Sequence, residues 1–528
     1  MRCGIACRNH SCHWLCRGFL FCLRHEPQTV RHSLIVLGLL LSGISLPRAV
    51  AGEPSPPPPR RPNILLAIAD DWGFGHAGAY GCKWVRTPAF DRVAREGILF
   101  RNCFTSNPKC SPSRASLLTG RNTWQLEEAS CHFGSFAAHW PVYPDLLERA
   151  GYRVGFTGKG WGPGDWQSGG RKQNPAGPGF GRQRSSKTAR GVSTNDYAAN
   201  FADFLRGRAP GQSFCFWSGC EEPHRPYDEG AGVRAGRRLS EIELPSYYPD
   251  SPVVRSDLLD YALEVESFDR QLGRMLAELE RTGELDNTIV VVTSDNGLPF
   301  PRAKGQIYDA GFHLPLAIRW GRRVAGGRTV DDFVNFRDLA PTFLILAGVA
   351  VPKTMTGRDI VDVLESRAAG WVDRTRNRML VGKEKDDLGR PSDLGYPVRG
   401  LRTPDYLYVR NFAPDRWPVC NPETGYSNCD NSPTKTLMLS AFDERYRLSF
   451  GRRPAEELYR LADDRECARN LAADPQMAAI KEQLAEEMTQ ALRREGDPRI
   501  LGNGAIFDTY RYTGRRDHAY DRWLKFRQ

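Results

Sequence analysis

The sequence predicts an α/β fold, a buried sheet covered by helices, followed by a smaller C-terminal α+β subdomain built on an antiparallel sheet. Three observations carry this reading. Two apolar runs, "NILLAIADDWG" from Asn63 and "NTIVVVTSDNG" from Asn287, show no polar face and end in polar residues, as strands of a parallel sheet covered on both sides do. Between them lie helical patterns, "TPAFDRVAREG", "YPDLLERAG" and "LLDYALEVESFDRQLGRMLAELERTG", each stopped by glycine. After "LAPTFLILAGV" (339–349) the pattern changes to short extended stretches, "YPVRGLRTPDYLYVRNF" and "EELYRLADD", and then a helix over 475–494.

The elements follow in chain order. Residues 1–51 read as an export signal with a long, cysteine-rich polar leader. "RHSLIVLGLLLSGISLPRAVAG" joins a basic flank to an apolar run that is short and broken by Ser and Gly, and Ala49, Val50 and Ala51 mark the cleavage site. An uncleaved anchor is the alternative, but no stable membrane anchor is expected from so short a run. The expectation is therefore a periplasmic or secreted protein. Residues 52–61 form a proline-rich linker. Residues 62–349 make the main α/β domain, and 350–528 the C-terminal subdomain.

Removing the leader takes away Arg2, Arg8, Arg17, Arg24, Arg31 and Arg48 against Glu26, so the formal charge falls from +11 to +6. A mildly basic chain suits an anionic substrate. It has no lysine-rich tail or arginine stripe, so no nucleic-acid partner is expected. Five of the fourteen cysteines leave as well; nine stay, an odd number in an oxidising compartment. Eight could pair if Cys110 is set aside for chemistry, and the bridge most favoured is Cys420 with Cys429 across "CNPETGYSNC".

In an open α/β sheet the site lies beyond the carboxyl ends of the strands, so Asp70 and Asp71 should meet Asp295 and Asn296 there. Oxygen donors without an obvious His or Cys cluster favour Ca²⁺ or Mg²⁺ over zinc. A cap at two ordinary strand-end turns is the plainer explanation of each pair taken alone. "NPKCSPSRASLLTG" (107–120) then sets one cysteine beside a lysine at the start of a helical stretch, where a thiol with a depressed pKa could be a nucleophile, a metal ligand or a redox sensor. A structural cysteine is the alternative.

With Cys110, Ser111, Pro112, Ser113 and Arg114 followed by "ASLLTG", the chain resembles the formylglycine-dependent sulfatases of the alkaline phosphatase superfamily. "PNILLAIADDWG", "GYRVGFTGKG", "TSDNG" and "EELYRLADDRECARNLA" extend the resemblance over nearly all of the chain beyond the leader. It implies an alkaline-phosphatase-like mixed sheet covered by helices. It also implies that a formylglycine-generating or sulfatase-maturing enzyme oxidises Cys110 to formylglycine, whose hydrate is the nucleophile. Asp70, Asp71, Asp295 and Asn296 would hold the ion, Ca²⁺ ahead of Mg²⁺, with residue 110 adding an oxygen. Arg114 would orient the hydrate, Lys159 ("FTGKG") and Lys304 ("RAKGQIYDAG") would contact the sulfate, and His224 ("EEPHRPY") would protonate the leaving group. The chain departs from the family in "GKGWGPG", where Trp161 stands in place of a histidine. His132 and His139 are the candidates for the missing base.

Within the family, "NCFTSNPKCSPSRASLLTG", "CHFGSFAAHWP", "EEPHR", "TSDNGLPFP" and "GYPVRGLRT" are most similar to the heparan N-sulfatase (sulfamidase) branch. The implied substrate is a sulfated glycan with N-sulfated glucosamine at its non-reducing end. Arg390, Arg399 and Arg402 would then offer guanidinium forks to neighbouring anionic groups, unless they form a packing face. Three alternatives stay open: an O-sulfatase on another polysaccharide, a phosphonate or phosphodiester hydrolase of the same superfamily, and a non-catalytic glycan-binding protein.

Overall fold

The computed structural model describes residues 61–186, 190–321, 323–514 and 518–527. The expected leader, and the linker up to residue 60, lie outside the described residues. β1 (Asn63–Ala69), buried at every residue, is an interior strand of an eight-stranded sheet. The other strands are β2 (Ile98–Phe104), β3 (Arg153–Gly158), β4 (Phe214–Gly219), β5 (Thr288–Ser294), β6 (His313–Arg319), β7 (Arg328–Val330) and β8 (Val334–Asn335). Their order is β3-β4-β1-β5-β6-β2-β7, with β8 also paired to β2. β6 runs antiparallel to both β5 and β2, while the other pairs are parallel. The sheet is therefore mixed, as the family resemblance implies: β1 and β5 are parallel, as their apolar runs suggest, and the reversal lies at β6.

Alternation along β1 divides the core. Leu65, Ala67 and Ala69 face one apolar cluster, completed by the helices Pro88–Glu96, Tyr197–Arg206 and Pro252–Arg281. Ile64, Leu66 and Ile68 face the other, completed by Cys110–Thr119, Tyr143–Arg149 and Leu339–Leu346. A strand so placed needs apolar side chains at every position, which is why "NILLAIA" has no polar face. The glycine stops are visible at Gly151 and Gly283, with φ of 91° and 68°, conformations in which a side chain would be strained.

β9 (Met379–Lys383), β10 (Val398–Arg402), β11 (Tyr406–Asn411) and β12 (Glu456–Arg460) form a separate antiparallel sheet, ordered β12-β11-β10-β9. The helix Ala478–Arg494 covers one face through Leu484, Met488 and Leu492. The other face packs Val381, Val398, Leu407 and Val409 against Phe104 at the end of β2 and Phe312 beside β6. β9 also touches the segment ahead of Cys110: the Gly382 N–H donates to the Ser106 carbonyl at 2.8 Å.

The expected Cys420–Cys429 bridge is not formed, and the nine described cysteines are all free. The loop sends its two sulfurs to different surroundings. Cys420 Sγ lies 3.3 Å from the Asp387 carbonyl oxygen, whereas Cys429 packs in the core cluster around the helix Pro252–Arg281.

Candidate active site

β1 and β5 are parallel neighbours with Ala69 opposite Ser294, so Asp70–Asp71 and Asp295–Asn296 leave the sheet side by side. The turn is tied across the two strands. The Asp295 N–H donates to the Ala69 carbonyl at 3.1 Å, the Asp71 N–H to Asp295 Oδ1 at 3.1 Å, and the Trp72 N–H to Ser294 Oγ at 2.7 Å. Asp71 takes φ 75°, a left-handed conformation that Asp tolerates better than most side chains. Asn296 Nδ2 donates to Asp71 Oδ1 at 2.6 Å, which leaves Asn296 Oδ1 buried without a partner.

Ligand atoms of Asp70, Asp71, Cys110 and Asp295 lie within 4.8 Å of one another, all buried. Three carboxylates and an amide oxygen, Asn296 Oδ1, that has no partner share one buried volume, a set of hard oxygen donors that suits a divalent cation.

Cys110 opens the helix Cys110–Thr119, and Lys109 before it is extended, with φ −140° and ψ 141°. Cys110 Sγ is 3.4 Å from Asp70 Oδ1. Arg114 lies one turn on, hence on the same face. Its Nε donates to Asp295 Oδ2 at 2.7 Å and its Nη1 to the Lys159 and Gly160 carbonyls at 2.8 and 3.1 Å, while Nη2 is buried and unpartnered. Lys159 follows the end of β3, and its Nζ reaches Asp70 Oδ2 at 2.5 Å. Lys304 Nζ lies 2.7 Å from Asp71 Oδ2 and 3.1 Å from Asp430 Oδ2. His224, one-third exposed at 33%, holds Nε2 3.8 Å from Asp71 Oδ2. Its Nδ1 is 2.6 Å from the Arg225 carbonyl oxygen, which can only accept, so Nδ1 carries a proton and Nε2 faces the cluster.

The charges are balanced within this group. Burial alone would raise the Asp70 carboxyl, but Lys159, His224, Arg114 and Lys304 together hold it well below the usual carboxylate range. Burial and the neighbouring Asp70 push Asp295 up to about 6, against the pull of Arg114. Burial works against the charge on Lys304 and Lys159, and the facing carboxylates outweigh it, raising both ammonium groups. The Cys110 thiol goes the other way from the depressed pKa its lysine neighbour suggested: burial, then Asp70, push it well above the ordinary thiol range. Lys159 and Lys304 pull the other way without winning, and Lys109 is turned to Asp387, its Nζ 2.7 Å from Oδ2.

The structure thus gathers Asp70, Asp71, Cys110, Arg114, Lys159, His224, Asp295, Asn296 and Lys304. Trp161 is buried against Phe136, and its Nε1 donates to the Ser111 carbonyl at 3.0 Å, so it braces the first turn of the cysteine helix. His132 lies in an adjoining buried group: its Nδ1 is 2.8 Å from Asp387 Oδ1, and burial lowers its pKa to about 4. His139 is largely exposed, its Nε2 3.4 Å from Glu127 Oε2.

The three C-terminal arginines do not offer guanidinium forks to a ligand; each is buried and consumed by packing. Arg399 binds Asp497 at 2.8 and 2.9 Å and Glu384 at 2.9 Å. Arg402 lies 3.3 Å from Asp309, and Arg390 donates to the Trp417 and Pro418 carbonyls at 2.7 and 3.1 Å. Two residues escaped the sequence reading. Asp387 joins Lys109, His132 and Tyr512, and Asp430 joins Lys304. Lys109 was visible beside Cys110, but nothing local marks its partner Asp387 or marks Asp430.

Residues 62–349 match the model of the sulfatase family. A human N-sulphoglucosamine sulphohydrolase is 27% identical over 494 residues, covering 84% of this chain and 93% of the relative. An ulvan-active sulfatase of Formosa agariphila is 28% identical over 460 residues, covering 84% and 82%. Among solved structures, a protein in complex with its substrate D-glucosamine-2-N,6-O-disulfate superposes with a TM-score of 0.62 at 20% identity, over 83% of this chain and 98% of that one. A phosphonate monoester hydrolase from Silicibacter pomeroyi superposes with 0.60 at 19%, over 83% and 96%, so the fold is shared by enzymes of different substrates. With more than half of its length matched by the family model and the acidic strand-end cluster in place, the chain belongs to the sulfatase family of sulfuric ester hydrolases.

Proposed function

We propose that this sulfatase removes sulfate from a sulfated glycan whose terminal sugar is N-sulfoglucosamine, and that Cys110 is its formylglycine precursor. The observation that carries the reading is Cys110 Sγ, 3.4 Å from Asp70, among carboxylates that Arg114, Lys159 and Lys304 neutralise. A sulfated sugar is anionic and repels a nucleophile, so the site must bring fixed positive charge to the sulfuryl oxygens.

Asp70, Asp71, Asp295 and Asn296 would hold the divalent cation. Ca²⁺ is favoured over Mg²⁺ because it accepts irregular sets of carboxylate and amide oxygens. Bound there, the cation would neutralise charge on the sulfuryl oxygens. The aldehyde hydrate at residue 110 would supply an oxygen nucleophile whose second hydroxyl allows sulfate to be released, which a plain thiol or serine cannot do. The chain's own groups do the rest. Lys159 and Lys304, held by Asp70 and Asp71, present ammonium groups to the sulfuryl oxygens. Arg114, fixed by Asp295 and two carbonyls, braces the helix start and keeps Nη2 free for a bond near residue 110. His224 Nε2 gives a proton to the leaving atom as its bond to sulfur breaks and the electron pair stays with that atom. For a sulfamate the balance is R–NH–SO₃⁻ + H₂O → R–NH₃⁺ + SO₄²⁻.

Residues 1–51 as an export signal would deliver the chain to the maturing enzyme, and 52–61, 62–349 and 350–528 would be linker, catalytic domain and C-terminal subdomain. Among the described residues no helix is long and apolar enough to cross a membrane. The N-sulfatase reading draws on the relative similar over 93% of its own length. A second reading, O-sulfatase action on another polysaccharide, draws on the ulvan-active relative. Comparing kcat/KM on N-sulfoglucosamine, 6-O-sulfated glucosamine and 6-O-sulfated galactose separates them. The first should be fastest; a preference for either O-sulfated sugar would refute the N-sulfatase reading and leave the sulfatase standing.

A further inference from the structure

We propose that Asp430 selects a leaving nitrogen over a leaving oxygen, by accepting a hydrogen bond from the N–H that a sulfamate carries and a sulfate ester lacks. The inference rests on the reading above, in which His224 protonates the leaving atom.

Asp430 comes from the C-terminal part of the chain, between the loop 420–429 and the helix Pro433–Ala441, and no motif marks it. It nevertheless enters the cluster: ligand atoms of Asp71, His224 and Asp430 lie within 4.8 Å of one another. A leaving atom seated between the two side chains can meet both. The contact of Asp430 Oδ2 with Lys304 Nζ, at 3.1 Å, is an ion pair without an aligned hydrogen bond, and this oxygen keeps acceptor capacity. The side chain is 26% exposed and borders a groove of about 420 Å³ shared with Ser427, Asn431 and Trp523, while its Oδ2 is buried on the side of Lys304, so Asp430 stands between solvent and the acidic cluster.

The chemistry of the two leaving atoms differs at this point. The bridging oxygen of a sulfate ester has only lone pairs, which a carboxylate repels. The nitrogen of a sulfamate carries one hydrogen, which a carboxylate binds. When the S–N bond breaks, the pair stays on nitrogen and His224 supplies a proton, giving the amine; a second proton, from water, gives the ammonium. Asp430 then faces a cation, and a charge-assisted bond becomes available on the product side. Lys304 keeps Asp71 as a partner if Asp430 is neutralised, so the site does not lose its only counter-charge there.

The test uses the matured full-length enzyme and its Asp430→Asn and Asp430→Ala variants, with kcat/KM measured on N-sulfoglucosamine and N-acetylglucosamine 6-sulfate. Inhibition by glucosamine and by glucose is measured alongside. The ratio of the two kcat/KM values should fall about tenfold to a hundredfold in both variants, the worth of one hydrogen bond to a charged group. Inhibition by glucosamine should weaken by a similar factor relative to inhibition by glucose. Equal losses on both substrates with an unchanged glucosamine-to-glucose ratio would overturn the proposal. A wild-type enzyme that prefers the O-sulfate would refute the N-sulfatase reading alone, and the shift in the two ratios would still decide the role of Asp430. Asp430→Asn, which preserves shape, keeps the test valid if Asp430→Ala fails to fold.

Discussion

The strand ends of β1 and β5 and the four-stranded sheet both bury cations against carboxylates, yet they use them differently. At the strand ends, Arg114, Lys159 and Lys304 face carboxylates that are themselves gathered around residue 110, and Asn296 Oδ1 and Arg114 Nη2 are left without partners. In the smaller sheet, Arg399 is saturated by Asp497 and Glu384, and Arg402 pairs with Asp309. A buried cation whose polar atoms are all satisfied holds the fold; one whose neighbourhood keeps unsatisfied donors and acceptors is arranged for something that binds later.

Substitutions should separate the two regions. The largest effect is expected at Asp70→Asn, which removes one charge from the acidic cluster and frees Lys159. Sulfate release should fall on the order of a thousandfold, while thermal unfolding stays cooperative; activity within tenfold of the parent would break the distinction. Next, Arg399→Ala takes the guanidinium away from Asp497 in the interior and leaves Glu384 only Arg499. It should cost about 3–5 kcal/mol in denaturant unfolding, and a loss under 1 kcal/mol would mean the arginine does not carry the packing. The smallest effect is expected at Trp161→Phe, which joins the regions' two roles because it is a packing residue that touches the cysteine helix. Losing its bond to the Ser111 carbonyl should cost about 1 kcal/mol of stability and lower kcat more than it changes KM. A change in KM alone would place Trp161 against substrate instead.

The same contrast explains what could be read in the sequence. β1 and β5 were legible because strands buried on both faces must be apolar throughout, and their acidic ends are adjacent for the simple reason that the strands pair. The reversal of β6 was not legible, since apolar periodicity carries no direction. Cys110 and Arg114 stand within one turn of each other, so local sequence brings them together. Asp430, 126 positions from Lys304 by their numbers, acquires its meaning only when the chain folds back. Arg399 and Arg402 stay open between ligand binding and packing in the sequence for the same reason. A guanidinium in "GYPVRGLRT" looks available until Asp497 and Asp309 arrive from distant segments. Trp161 was legible as a departure from the family, but its bond to Ser111 was not.

The central claim is that residue 110 works as an aldehyde within the acidic cluster and not as a thiol. Mass spectrometry of the peptide containing residue 110, from exported protein whose sulfate release has been measured in the same preparation, tests it most directly. The account predicts that activity rises in proportion to the fraction of peptide carrying the aldehyde and that Cys110→Ser, folded but unconverted, releases no sulfate. Full activity from protein in which residue 110 is entirely free cysteine would contradict it.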